Sequence, residues 1–217
     1  MKQQRAIATR QALVLSASRV FAAVGYRAAT LSQISADAEV TQGALYFHFR
    51  SKQELASEII RQQHELSIAA GKTYLGADTS GIEGMVLLSG ALATQIQTDP
   101  VVQAGLRLST ESAADLADAS VAPYVEWIST ARLFVEKTAA QRMLAPGLDI
   151  DTAAEVIISS FSGTQFVSIA LAGGTDLIDR LIRMWTVLLP GLVGEHSAEI
   201  VARLPALLRT GALPTGR

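Results

Sequence analysis

Apolar side chains recur every three to four positions along almost the whole chain. Ile7, Leu13, Val14, Ala17, Val20, Phe21 and Val24 keep to one face of a 3.6-residue period, which predicts an amphipathic helix that Gly25 ends. Thr30 and Gln33 form a capping box, so a second helix starts at Leu31 and runs to about Ala38. Thr41 is a good N-cap for a short third helix. Ser51 and Glu54 repeat the capping box and open a longer fourth helix, expected to close near Gly71. Further helices are expected near 82–97, 101–117, 121–143, 151–172, 175–193 and 196–209. Their breaks fall at Pro100, at Pro123 in a first turn, at Pro146 with Gly147, and at Gly173 with Gly174. Pro190 is expected to kink or end its helix. No stretch alternates with period two, so the fold class is all-α.

A helix, a tight turn and a short helix capped by Thr41 have the spacing of a helix-turn-helix. The second helix of such a unit enters the major groove N-terminus first. Gln42, Gly43 and Ala44 stand there, small or amide-bearing, suited to close backbone approach with Gln42 reading a base edge. The next residues, Tyr46-Phe47-His48-Phe49, mix core and surface chemistry. Leu45 and Phe49 lie four apart and face the core with Val40 and Phe21. Tyr46 and His48 then project outward beside Lys52, a phenol, an imidazole and an ammonium suited to phosphates. The helix N-termini at Thr30, Thr41 and Ser51 favour anions in the same way.

Charge supports this division. Residues 1–52 hold seven Lys or Arg against Asp37 and Glu39, a net +5, whereas the remainder holds eleven against eighteen acids, a net −7. A basic head on an acidic body points to a polyanionic partner for the head alone. The 217 residues are 49% hydrophobic and 18% charged, the composition of a globular protein with a sizeable core. Cysteine is absent, which fits a reducing, cytoplasmic setting and removes thiolate chemistry. The N-terminus has no apolar run of the signal-peptide kind. The twenty uncharged residues between Glu155 and Asp176 reach bilayer length, but their Ser, Thr, Gln and Gly content favours a helix buried in protein. The three histidines, 48, 64 and 196, are scattered, and no P-loop, G-x-S-x-G or dinucleotide fingerprint occurs, so neither an enzyme nor a metal or other cofactor is expected. Asp149 and Asp151 read as helix N-caps.

Over roughly the first third, "AAVGYRAATLSQISADAEVTQGALYFHFRSKQEL" resembles the DNA-binding domain of TetR-family repressors. The resemblance implies an N-terminal three-helix helix-turn-helix domain, residues 1–52. A fourth helix would join it to a larger helical ligand-binding and dimerisation domain, residues 53–217. It implies a homodimer on a double-stranded DNA operator, with Lys2, Arg5, Thr30, Thr41, Gln42, Gly43, Ala44, Tyr46, His48 and Lys52 as contacts. Glu39 departs from the pattern, where the family usually has Gly in the turn; a non-Gly residue at positive φ costs about 1 kcal/mol. The dimer interface is expected on the 151–172 and 175–193 helices, with Arg180 and Arg183 at its rim and Trp185 in its core. "DPVVQAGLRLSTE", "PYVEWISTARLF" and "FSGTQFV" resemble the γ-butyrolactone receptor subgroup. That likeness implies a small-molecule inducer, with Trp127 as a pocket wall and Gln63 and Thr164 as hydrogen-bonding groups. Met85, Leu88 and Phe161 read as core or pocket lining. On the residues alone, Trp127 reads more readily as core than as a pocket wall, and Thr164 as a hydroxyl bonded to its own helix. A multidrug-sensing repressor of an efflux pump, a pseudo-receptor answering an antibiotic, and a protein-contacting helix-turn-helix share this pattern.

Overall fold

The computed structural model describes residues 2–111 and 117–210, with side chains placed for 3–110 and 123–210. Among the described residues the chain forms ten α-helices and one 3-10 turn, with no strand. In order they are α1 Lys2–Ala28, α2 Leu31–Asp37, α3 Gln42–His48, α4 Lys52–Leu75, α5 Gly81–Thr98, α6 Pro100–Glu111, α7 Ala117–Ala140, α8 Ile150–Ala172, α9 Leu177–Val193 and α10 Ser197–Thr210. The periodicity therefore placed every helix. Residues 112–116, expected at the end of the sixth helix, lie outside the described residues.

The helices divide into two compact units, residues 1–66 with 98–123 and residues 67–97 with 124–217. The first unit reaches past residue 52, since α6 packs on α1 and adds Ala104 and Leu108 to its core. The Arg107 guanidinium fixes this pairing by donating to the Ala22 carbonyl. No local pattern in the sequence reveals that α6 returns to the head.

Within the first unit, Leu13, Ala17 and Phe21 of α1 meet Ile34 of α2, Leu45 of α3, Phe49, and Leu55 and Ile59 of α4, all essentially inaccessible to solvent. Each such side chain contributes about 1.5–3 kcal/mol by burial. Gly25 interrupts α1 at φ 80° and ψ 167°, as its position predicted. The carbonyls at the C-terminal end of α1 and just past it are collected by Lys52, whose ammonium donates to the oxygens of Tyr26, Arg27 and Ala29 at 2.8, 3.3 and 3.0 Å. The same ammonium lies 4.6 Å from the Tyr26 ring centroid. A cation at a helix C-terminus is favoured by the dipole and by the unsatisfied carbonyls. Arg10 bonds Glu58 at 2.9 Å and stacks over the Phe49 ring, tying α1 to α4 a second time.

In the second unit, α4 continues to Leu75, four residues beyond the expected stop at Gly71. Gly71 is buried inside the helix, and a Cβ there would lie 2.9 Å from the Thr130 methyl. Its small size serves close packing of α4 on α7 rather than helix termination. Lys137 closes the true end of α4 by donating to the Leu75 and Ala77 carbonyls at 3.1 and 2.9 Å. Asp149 caps α8, accepting from the Thr152 amide at 2.8 Å, while Asp151 pairs with Arg132 at 2.7 Å and is not a cap. Pro190 does not stop α9 at once; the helix ends three residues later at Val193. The segments Gln3–Ala28 and Ile150–Ala172 are each long and apolar enough to cross a bilayer by length and composition alone. The first turns part of that apolar surface into the core just described. α8 was expected to be buried, yet little of it is buried in the single chain, and Phe166 and Leu171 are among its exposed residues.

Candidate nucleic-acid interface and ligand cavity

The helix-turn-helix is built by two short helices with complete N-caps. Thr30 and Gln33 exchange the bonds of a capping box, at 2.9 Å from the Thr30 amide and 3.2 Å from the Gln33 amide. Thr41 accepts from the Ala44 amide at 3.1 Å. Between the helices Glu39 takes φ 54°, so the family's turn is kept and the glycine-like conformation is imposed on a glutamate. The turn holds because the Val40 amide donates to the Ser35 carbonyl at 3.0 Å and Val40 packs against the core. Arg19 grips Asp37 at the end of α2, and that hydrogen bond holds the Asp37 carboxyl below its ordinary pKa.

α3 presents Gln42 and Gly43 to solvent and keeps Leu45 at 0% exposure. The Gln42 amide donates to the Ser32 hydroxyl, which fixes its direction. A Cβ on Gly43 would have one neighbour within 4 Å, the Thr41 hydroxyl at 3.9 Å. Nothing in the protein requires a glycine there, so the space left open faces outward. Tyr46 is 54% exposed and His48 half-buried. Phe47 is 81% exposed and meets His48 edge-on at 5.1 Å. Phe47 is not among the residues the sequence pattern singles out, although its place two positions from both Leu45 and Phe49 puts it on the face opposite the core.

The cations divide by what they already hold. Arg10 and Arg19 are paired with acids. Lys52 was expected to project as a phosphate-binding ammonium, but its three N–H groups close the end of α1. Arg5 and Arg50 are exposed, and neither guanidinium has a partner among the described residues. Arg50, next to Phe49, is a second residue that the sequence pattern does not single out. The Lys2 side chain lies outside the described residues. The surface of α3 and the chain just after it thus brings together Thr41, Gln42, Gly43, Ala44, Tyr46, Phe47 and His48. Thr30, also exposed, stands at the start of α2.

The second unit encloses a cavity of about 70 Å³. Met85 and Leu88 of α5, Trp127 of α7 and Phe161 of α8 all line it. Trp127 is half-buried and meets Tyr124 edge-on at 4.9 Å. Trp185, expected at an interface, is fully buried, walls the cavity, and donates through its indole N–H to Ser89 at 2.9 Å. Gln63 and Thr164 are not among the lining residues. Gln63 is 2% exposed and belongs to the first unit, wedged where a Cβ on Gly105 would lie 2.6 Å from its own Cβ. Thr164 lies in an open trough of α8 and α9 with Ser160, Gly163, Val167, Arg180 and Val187. Helical spacing explains this. On α8, residues 158, 161, 162 and 165 share the cavity stripe, whereas 160, 163, 164 and 167 share the trough stripe. Arg180 lines that trough while held by Asp176 at 2.8 Å, and Arg183 lines it too.

Residues 13–59 match the model of bacterial regulatory proteins of the tetR family, and residues 79–194 match a tetracyclin repressor-like C-terminal domain. The A-factor receptor protein of Streptomyces griseus is 31% identical over 191 residues, covering 88% of this chain and 66% of its own length. A crystal structure of a γ-butyrolactone receptor, an ArpA-like protein, superposes with a TM-score of 0.78 at 30% identity, covering 95% of this chain and 99% of that one. CprB of Streptomyces coelicolor, solved in complex with its operator sequence, gives 0.77 at 29% identity, covering 95% and 99%. The relatives are transcriptional regulators. With the C-terminal match alone spanning more than half its length, this chain belongs to the TetR family of bacterial regulatory proteins.

Proposed function

We propose that this protein is a ligand-responsive transcriptional repressor of the cytoplasm. It binds a pseudo-palindromic operator as a homodimer and is released by a small, uncharged signalling molecule of the γ-butyrolactone kind. The observation that carries the DNA-binding part is α3 itself: an exposed helix start at Gln42 and Gly43, where a Cβ on Gly43 would meet only the Thr41 hydroxyl among the described residues, followed by exposed Tyr46 and Phe47. Gln42 reads a base edge, while Thr30, Thr41, Tyr46, His48, Arg5 and Arg50 bind phosphates and set the register. Two such helices in a dimer would occupy successive major grooves about 34–36 Å apart. The α8–α9 trough, with Val187 77% exposed, is the surface for the second copy.

Release follows from α4. Ser67 and Ile68 of α4 line the cavity, and Lys52 and Glu58 of the same helix hold α1. A cavity of about 70 Å³ must widen for an inducer that needs about 300 Å³ or more. Widening displaces the helix that carries both sets of contacts. A hundredfold loss of operator affinity requires about 2.7 kcal/mol of preference for the widened state. A multidrug sensor tuned to lipophilic cations would want a carboxylate in the cavity, and among the described residues none lines it. The test is a mobility shift on the gene's own upstream DNA, with salt titration and with added γ-butyrolactone. Salt-sensitive binding reversed by the lactone is expected; duplex binding absent at low salt removes the proposal.

A further inference from the structure

Among the described residues, the side chains that line the second unit's cavity include no acid, no base and no histidine. A charged occupant would lose its hydration there without gaining a counter-ion. The hydrogen-bonding groups of the lining differ in what they already do. Ser89 donates to the Val86 carbonyl at 2.7 Å and receives the Trp185 indole at 2.9 Å. Ser67 is engaged within the protein. Thr130 turns its methyl towards Gly71. Ser162 and Gln165 are different. They stand three residues apart on α8, both half-buried, both on the cavity, and no described group bonds to either side chain. Beside the Thr130 hydroxyl, Ser162 and Gln165 thus place uncommitted hydrogen-bonding groups on one turn of one helix in a largely apolar chamber.

We infer that Ser162 and Gln165 are the specificity-determining pair of the effector site. They read the polar head of an uncharged amphiphile, while Met85, Leu88, Leu92 and Phe161 receive its apolar part. Residues three apart on a helix lie about 5–6 Å from each other, the width of a five- or six-membered ring. The serine hydroxyl and the glutamine NH2 donate to ring or carbonyl oxygens; the glutamine carbonyl accepts from a hydroxyl on the same head. Thr164, which the family resemblance implied, has no part in this recognition. The inference rests on reading the cavity as the effector site.

Both tryptophans of the chain, Trp127 and Trp185, line the cavity, so intrinsic fluorescence reports occupancy without a label. The full chain, without DNA, is titrated with three probes: γ-octalactone, butylcyclopentane (the hydrocarbon of the same ring and side chain) and octanoate. The lactone is expected to bind at least about tenfold more tightly than either of the others. Gln165→Leu and Ser162→Ala are expected to erase most of that preference while leaving butylcyclopentane affinity and helical circular dichroism unchanged. Thr164→Ala is expected to leave the preference intact. Wild-type preference in both cavity variants, or octanoate binding as tightly as the lactone, overturns the inference and leaves the effector-cavity reading standing. Fluorescence unmoved by every probe overturns both.

Discussion

At Glu58 three donors converge on one buried carboxylate. Burial raises its pKa, but hydrogen bonds from Arg61, Arg10 and Gln62 outweigh it, and the value falls from 4.5 to about 2. A carboxyl with a depressed folded pKa stabilises the fold fully above its unfolded value and loses that contribution as pH falls towards the folded one. Glu58→Gln should therefore lower stability at pH 7 by about 2 kcal/mol, allowing for the half-exposed arginine partners. The gap between variant and wild type should close between pH 4.5 and 2 in denaturant titrations; a gap that persists at pH 2 would assign the loss to packing. Gly43 offers the opposite case, a residue on which the fold makes no demand. Gly43→Ala should leave thermal stability equal or slightly raised, by at most about 1 kcal/mol. It should weaken operator binding at least about tenfold, since the added methyl occupies the space of the DNA backbone. Glu39 holds a conformation that Asn tolerates better, so Glu39→Asn should raise the melting temperature without changing the binding site selected.

At the scale of the element, α8 and α9 each carry two stripes. α8 turns Phe161, Ser162 and Gln165 to the cavity and Ser160, Gly163, Thr164 and Val167 to the trough. α9 turns Trp185 inward and Arg183, Met184 and Val187 outward. Val187→Asp places a charge on the trough stripe and none on the cavity stripe. Sedimentation should show a shift from dimer to monomer, with fluorescence titration of the cavity little changed. A variant that remains dimeric would move the interface to another face. The division of α8 is open to reading in the sequence, because a helix 23 residues long with almost no charge needs apolar partners on more than one side. Which side each stripe meets is not, and that is why family resemblance alone draws Thr164 to the pocket. Gly71 shows the same limit: a glycine late in a helix reads as a stop, and only the neighbouring Thr130 reveals a packing contact.

At the scale of the whole molecule, the basic first 52 residues and the acidic remainder predict a strong salt dependence for DNA binding. Removal of Arg50, whose guanidinium is uncommitted, should reduce the slope of log affinity against log salt by about one for each phosphate that a subunit no longer neutralises. Lys52→Ala should act differently. It removes the clamp on the α1 carbonyls, so a lower unfolding temperature should accompany any loss of affinity.

Helix number and type, the capping residues Thr30, Thr41 and Asp149, the break at Gly25 and the helix-turn-helix followed from the sequence alone. Periodicity, caps and breakers act within a few residues, so their physics is local. The tertiary structure alone decided that α6 returns to α1, that Lys52 closes a helix rather than projecting freely, that Gln63 belongs to the head unit, and that Ser162 and Gln165 rather than Thr164 face the cavity. Each of those depends on which face of one helix meets another distant in sequence. Contacts of that kind are set by the shape and volume of side chains far apart in the chain, about which a local pattern carries no information.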